Sequence, residues 1–239
     1  MASVHRRSNG RFKVAYRDPD GGQRAKTFRT RREADRFRVH IEEAIERGTW
    51  RDPNEAKRRF GALAEVWFEE AQARVKPATA AAYRSTLDRH VLPTFADLEV
   101  GRVTPTLIRQ WVAERRLEGV GETTLARAFR LVDAVFDIAF EDRMIPASPV
   151  PRKNRPTSPK APEQRFLRPD EIDALAAAID PHYRRWLYVM VHSGMRWSEA
   201  AGLKVRRVDL LRRRVEIAEQ LVDVRGQLVV QSPKTGKGR

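Results

Sequence analysis

The 239 residues predict a multidomain chain, mainly α-helical with small β elements. Three observations lead there. The apolar period is two near the N-terminus, changes to the helical three-and-a-half in the middle, and returns to two after Asp209. A proline-rich, basic stretch interrupts the helical part at residues 146–165. A hydrophobic content of 41% over this length supplies two or three small cores. The reading is therefore a β-hairpin plus helix over residues 1–55, a helical domain over 58–146, a linker over 147–165, and an α+β segment over 166–239.

Each element has a local reason. RFKVAYR (residues 11–17) and RAKTFRT (24–30) alternate polar and apolar residues around the turn DPDGGQ, which is a hairpin signature. Thr30 with Glu33 forms a capping box that opens a helix ended by Gly48, with Ala34, Phe37, Ile41, Ala44 and Ile45 as its apolar stripe. Four helical patterns follow. The first carries Leu63, Val66 and Trp67, and the second runs from about Pro77 to His90 with Tyr83 and Leu87 inward. Thr104 and Pro105 start the third as cap and first helical residue, ahead of Ile108, Trp111 and Val112. In the fourth, Leu125, Phe129, Val132, Phe136 and Phe140 fall on one face, which reads as core packing rather than as a stacking platform for bases.

After the linker, Pro169 with Asp170 and Glu171 suits a helix start, and Ile172, Leu175, Ala176 and Ile179 give that helix its stripe. YRRWLYVMVHSGM (183–195) reads as a buried helix delivering Arg196 at its end. RVEIAEQLVDV, the pair Arg225–Gly226 and LVVQSPKTGKGR then read as a hairpin with a basic tip.

Charge narrows the function. With 47 Lys+Arg against 32 Asp+Glu the chain carries +15, which favours a polyanionic partner. The excess is local: residues 1–32 hold ten cations and two acids, 152–168 hold six and one, and 204–239 hold ten and four. Three basic segments on a slightly acidic remainder suggest three contact surfaces. Cysteine is absent, which excludes disulfides and thiolate metal sites. No apolar run reaches the roughly 18 residues of a membrane span, so no membrane partner and a cytoplasmic location are expected.

Residues 193–203, SGMRWSEAAGL, place Arg196 three positions before Glu199, so the two are expected on one helix face, the carboxylate orienting a guanidinium fork suited to phosphate. Ser193, Gly194, Arg196, Ser198, Glu199 and Leu203 match in order the first catalytic box of the tyrosine recombinase (phage integrase) family, and here the chain resembles that family. The N-terminal hairpin and its KTFRTRREAD segment resemble the arm-type DNA-binding domain of phage integrases, although basic hairpins also occur in RNA-binding proteins. The four-helix segment resembles their SAM-like core-binding domain, and residues from 166 the first part of their catalytic domain.

The resemblance implies double-stranded attachment-site DNA as partner, a homo-tetramer on DNA for the full-length protein, and no cofactor or metal. It assigns Arg196, Glu199 and Lys234 to catalysis, with Lys237 the alternative lysine. Candidate DNA contacts are Arg11, Lys13, Arg17, Arg24 and Lys26 on the hairpin's exposed face, Lys76, Thr79, Tyr83 and Arg84 in KPATAAAYRSTLDRH, Lys153, Arg155 and Lys160 in the linker, and Lys237. In the family an H/K-x-x-R box and a nucleophilic tyrosine follow the lysine hairpin. Here Tyr16, Tyr83, Tyr183 and Tyr188 all precede Arg196, and His182-Tyr-Arg-Arg185 lies on its wrong side. The expectation is site-specific DNA recombination or integration by the family's chemistry, with this portion binding DNA and unable to cleave it alone. A non-catalytic remnant or regulator that occupies attachment sites is the alternative.

Overall fold

A computed structural model describes residues 2–161 and 163–233. The chain divides into two compact units, one built from residues up to 67 together with 87–157, the other from 68–86 together with residues from 158 onward.

The first unit opens with a three-stranded antiparallel sheet, β1 (Ser3–Arg6), β2 (Phe12–Arg17) and β3 (Gln23–Phe28), in the order β1-β2-β3. The predicted hairpin is β2–β3; β1 is an addition. Its sequence SVHR has one aliphatic residue, Val4, too few to display a period of two, and it is held by pairing Val4 against Val14. Asp18 tightens the β2–β3 turn by accepting from the Gly22 amide at 2.6 Å. Helix α1 (Arg31–Glu46) packs on the sheet. Its capping box is present, with the Thr30 hydroxyl accepting from the Glu33 amide and the Glu33 carboxylate from the Thr30 amide. Gly48 ends it at φ 65°, a conformation glycine adopts without a Cβ penalty. Val14, Tyr16, Ala34 and Ile41 are buried between sheet and helix.

Helices α2 (Phe60–Arg74), α3 (Pro77–Thr86), α4 (Leu92–Phe95), α5 (Pro105–Leu117) and α6 (Glu122–Glu141) follow. Within the first unit the core is an aromatic cluster: Phe60 lies 5.4 Å from both Phe95 and Phe136, and Phe95 lies 5.2 Å from Trp111, centroid to centroid. Leu63, Leu87, Val91, Ile108, Leu125 and Val132 complete it. The second helical pattern does not run unbroken to His90. α3 stops at Thr86, a π turn covers Leu87–Val91, and α4 resumes. Pro93 is the cause: it has no N–H to continue the ladder and its ring crowds the preceding turn. The carbonyl of His90 takes the Trp111 indole N–H at 3.0 Å, so the irregular turn is satisfied by a core side chain.

Two stripe residues are corrected. Val66 is 39% and Phe140 48% exposed. In α6 the buried stripe continues from Phe136 to Ala139, and after Arg143 at φ 58° Met144 and Ile145 are buried, the Met144 amide donating to the Ala139 carbonyl at 2.9 Å. Among its described residues the segment 147–165 has no regular element, and its first part packs on this unit. Val150 and Pro156 are buried, and the Arg155 guanidinium bonds to Asp133 at 2.9 Å and lies 5.7 Å from the Phe129 ring.

The second unit holds the end of α2 and all of α3, together with α7 (Pro169–Ala178), α8 (Pro181–Ser193), α9 (Trp197–Ala201) and two small hairpins, β4 (Val208–Asp209) with β5 (Arg214–Val215) and β6 (Gln220–Val224) with β7 (Gln227–Gln231). The β6–β7 turn is Arg225–Gly226, both at positive φ, as a two-residue hairpin of this twist requires. RVEIAEQLVDV is not one strand. Its middle is diverted because Glu216 and Glu219 pair with Arg207 and Lys204 while Ile217 enters the core. The core is small, Met195, Ala200 and Ile217, with Trp186, Met190 and Leu203 against it. α8 is not buried as expected: Tyr183 and Val189 are exposed, and so is Leu175 of α7.

Candidate functional site

Arg196 is not inside a helix with Glu199, as the spacing suggested. It is the N-cap of α9, with extended backbone (φ −74°, ψ 156°), and Glu199 is the third residue of that helix. An N-cap leaves the first amides of a helix in need of acceptors, and a carboxylate in the first turn also meets the positive end of the dipole. Glu199 supplies both, accepting from the Arg196 amide at 3.0 Å and from its Nη1 at 2.8 Å. The Glu199 side chain is 2% exposed while that of Arg196 is 51% exposed. A buried carboxylate thus fixes one edge of the guanidinium and leaves half of the side chain open to solvent, the arrangement that suits a phosphate oxygen.

The short helix is held from both ends. Gly194 ends α8 in the left-handed conformation, turning the chain into the box. At the other end Gly202 lies against β6, where a Cβ would come within 2.9 Å of Gln220 Cα and of the Leu221 nitrogen. Ser198 donates to the buried Gln220 side chain at 3.1 Å. Sequence reading missed this role of Gly202, because glycine after a short helix reads as a cap and the approaching strand is 18 residues away. The α9–β6 joint is braced by Lys204 with Glu219 at 2.5 Å, and the ammonium holds the Glu219 carboxyl below its ordinary value. Lys234 and Lys237 lie outside the described residues.

The cationic candidates divide by partner. On the three-stranded sheet, alternation puts Ser3, His5, Lys13, Ala15, Arg17, Gln23, Ala25 and Thr27 on the face away from α1. A row of small residues, Ser3, Ala15 and Ala25, crosses its middle between Lys13 on one side and Arg17 with Gln23 on the other. Arg24 and Lys26 are corrected: their registers, opposite Tyr16 and Val14, place them on the α1 side. Arg24 bridges Asp18 at 2.9 Å and Asp52 at 2.5 Å, and its guanidinium holds the Asp18 carboxyl below its usual range. Lys26 Nζ sits 5.0 Å from the Phe37 ring centroid. Arg11 is exposed in the approach to β2.

Thr79 and Tyr83 are half-buried on α3, and Arg84 lies 5.5 Å over the Phe68 ring. The Lys76 ammonium donates to the carbonyls of Ser232 and Pro233. Lys153 and Lys160 are exposed, whereas Arg155 is engaged by Asp133. No cluster of His, Cys, Asp or Glu able to hold a metal ion occurs among the described residues. No helix among them is long and apolar enough to cross a membrane.

Comparison with known proteins bears on the fold. The model of the phage integrase N-terminal SAM-like domain matches residues 59–114. The putative prophage phiRv2 integrase of Mycobacterium tuberculosis is 28% identical over 97% of this chain and 62% of its own length. Among solved structures, the Tn1549 transposon integrase in complex with circular intermediate DNA aligns with a TM-score of 0.61 at 17% identity, over 74% of this chain and 59% of that one. A lambda integrase tetramer bound to a Holliday junction aligns at 0.55 and 18%, over 99% and 67%. A helical SAM-like segment followed by an α+β segment is the fold this chain shares with those solved integrases. Over nearly its whole length the chain is similar to proteins of the tyrosine recombinase, or phage integrase, family. It spans 62% of the length of the phiRv2 relative.

Proposed function

We propose that this chain serves site-specific DNA recombination as the part of an integrase that grips attachment-site DNA and presents Arg196 to the scissile phosphate. The observation that carries the reading is the Arg196–Glu199 pair, an exposed guanidinium oriented by a buried carboxylate. In the family's reaction a tyrosine hydroxyl attacks a phosphodiester and negative charge grows on the non-bridging oxygens, where a preorganised arginine stabilises it. Lys234, or Lys237, is then the candidate to protonate the leaving 5′ oxygen.

The tyrosines present have other positions. Tyr16 is buried in the sheet–helix core, Tyr188 donates to Asp173 at 2.8 Å, and Tyr83 is half-buried on α3. Tyr183 is in the first turn of α8, a helix length of roughly 15 Å from the end that delivers Arg196. The domain reading kept here is an arm-type module over 1–55, a core-binding module over 58–146, a linker over 147–165 and the first part of a catalytic domain from 166. Lys13 and Arg17 on the open sheet face, Arg11 beside it, and Lys153 and Lys160 in the linker are its backbone contacts. Assembly into a tetramer on DNA, by analogy with the lambda protein, and a cytoplasmic location complete the reading.

The test is duplex binding by fluorescence anisotropy over a range of salt, with the same samples run on denaturing gels. Binding whose log affinity falls linearly with log salt, without a denaturant-stable adduct, is expected. Salt-independent binding, or a covalent adduct at one of the four tyrosines, overturns the proposal.

A further inference from the structure

Lys76 sits in the two-residue step between α2 and α3, where sequence reading makes it a phosphate contact. Its Nζ instead donates to the carbonyl oxygen of Ser232 at 3.0 Å and of Pro233 at 2.8 Å. Both carbonyls lie just beyond Gln231, the last residue of the β6–β7 ladder, where strand pairing no longer supplies donors. Backbone carbonyls require donors, and an ammonium with three N–H groups can serve two at once. The lysine is half-buried and Pro233 is buried, so the bond to Pro233 is partly shielded from water, whereas Ser232 is exposed. At the other end of the hairpin, Val224 and Arg225 share a groove with Val75, Ala80, Ala81 and Arg84. The α2–α3 region therefore touches the hairpin at its turn and at its open end.

We propose that Lys76 is a positioning residue that staples the C-terminal end of β7 to the α2–α3 connection, and not a phosphate contact. The chain passes from Pro233 directly into Lys234, the residue the family resemblance places at the leaving oxygen. The functional weight of the staple rests on that reading, while its geometry rests on the two hydrogen bonds. A phosphate could recruit this ammonium only by breaking both.

Hydrogen–deuterium exchange on the 239-residue chain and on K76M and K76R tests it, with duplex affinity and salt slope measured on the same samples. In K76M, exchange at residues 220–231 is expected to rise on the order of tenfold, the scale of losing charge-assisted hydrogen bonds, while residues 12–28 stay as protected as before. K76R, whose guanidinium can donate to the same carbonyls, should keep the slow exchange, and neither variant should change the salt slope. Unchanged hairpin exchange in K76M, or a K76R as fast as K76M, overturns the proposal. So does a salt slope lowered by about 0.9 with the hairpin unaffected, since that is the signature of one lost phosphate contact. Absence of duplex binding in all three forms would count against the DNA reading and leave exchange to decide the staple. If K76M fails to fold, K76Q provides the same comparison.

Discussion

Replacing Gly202 by alanine adds one methyl group at the most crowded backbone contact of the second unit. The glycine has φ −90°, so alanine is compatible with the local backbone and the effect comes from packing alone. The added Cβ would meet Gln220 Cα and the Leu221 nitrogen at 2.9 Å and the Gln220 carbonyl carbon at 3.0 Å. All three are main-chain atoms of β6, which no side-chain rotation can move aside. Overpacking of this kind costs about 1–3 kcal/mol, and an unyielding strand argues for the upper half of that range. Reduced freedom of the unfolded chain returns roughly 0.4–1 kcal/mol, leaving a net loss of about 1–2.6 kcal/mol. Urea unfolding followed by hydrogen exchange at residues 220–224 measures it. Gly121→Ala is the control, since a Cβ there meets nothing within 4 Å. A G202A protein as stable as its parent, with β6 exchange unchanged, would refute the contact and with it the idea that β6 fixes the position of Arg196.

Three further outcomes follow from the same geometry. Glu199→Gln removes the charge that orients Arg196, and because that guanidinium is half exposed the expected loss is only about 1 kcal/mol of stability, with weaker duplex binding at low salt; unchanged values on both axes contradict the orienting role. Lys13→Ala and Arg17→Ala should each lower the salt slope of duplex binding by about 0.9 without altering the melting temperature, whereas Arg24→Ala should lower the melting temperature and leave the slope alone; the reverse pattern refutes the face assignment. Asp18, Glu122 and Glu219 have carboxyls held below their ordinary values of 3.8, 4.5 and 4.5 by Arg24, Arg116 and Lys204. A depressed folded-state value contributes stability above the unfolded value and loses it as pH falls through the folded one, so melting temperatures should hold from pH 7 to 5 and drop below about 4.5. A flat profile down to pH 3 would contradict this.

What the sequence made legible were the features fixed by neighbours in the chain. The Thr30 box, the Gly48 stop, the Thr104–Pro105 start and the Arg225–Gly226 turn all appear where local backbone chemistry puts them. The core face of α5 was readable for a related reason: Ile108, Trp111 and Val112 lie within two turns, too short a span for the period to drift. Over the five turns of α6 it does drift, which exposes Phe140. The Arg196–Glu199 pair was legible as a pair but not as a cap, since three-residue spacing is common to a helix face and to an N-cap with its third residue. Gly202 and Lys76 were out of reach because their partners, Gln220 and Ser232–Pro233, are defined only by the fold.

The expectations about α8 failed for a different reason. WLYVMV, residues 186–191, is apolar enough to be read as buried, yet only its Trp186 and Met190 are packed against the Met195–Ala200–Ile217 core. Val189 and Val191, on other sides of the helix, are exposed. An apolar stripe states what a helix can bury and carries no information about what lies opposite. In the first unit four helices surround one aromatic cluster, so each stripe has an opposing surface and the pattern predicts burial well. In the second unit, among the described residues, the cluster beside α8 and α9 has three buried side chains, and the same kind of pattern overpredicts it. Burial is thus read most reliably from sequence where several amphipathic elements share one centre, and Arg196 owes its placement less to core volume than to local devices: a left-handed glycine before it, a buried carboxylate after it, and a strand backbone against Gly202.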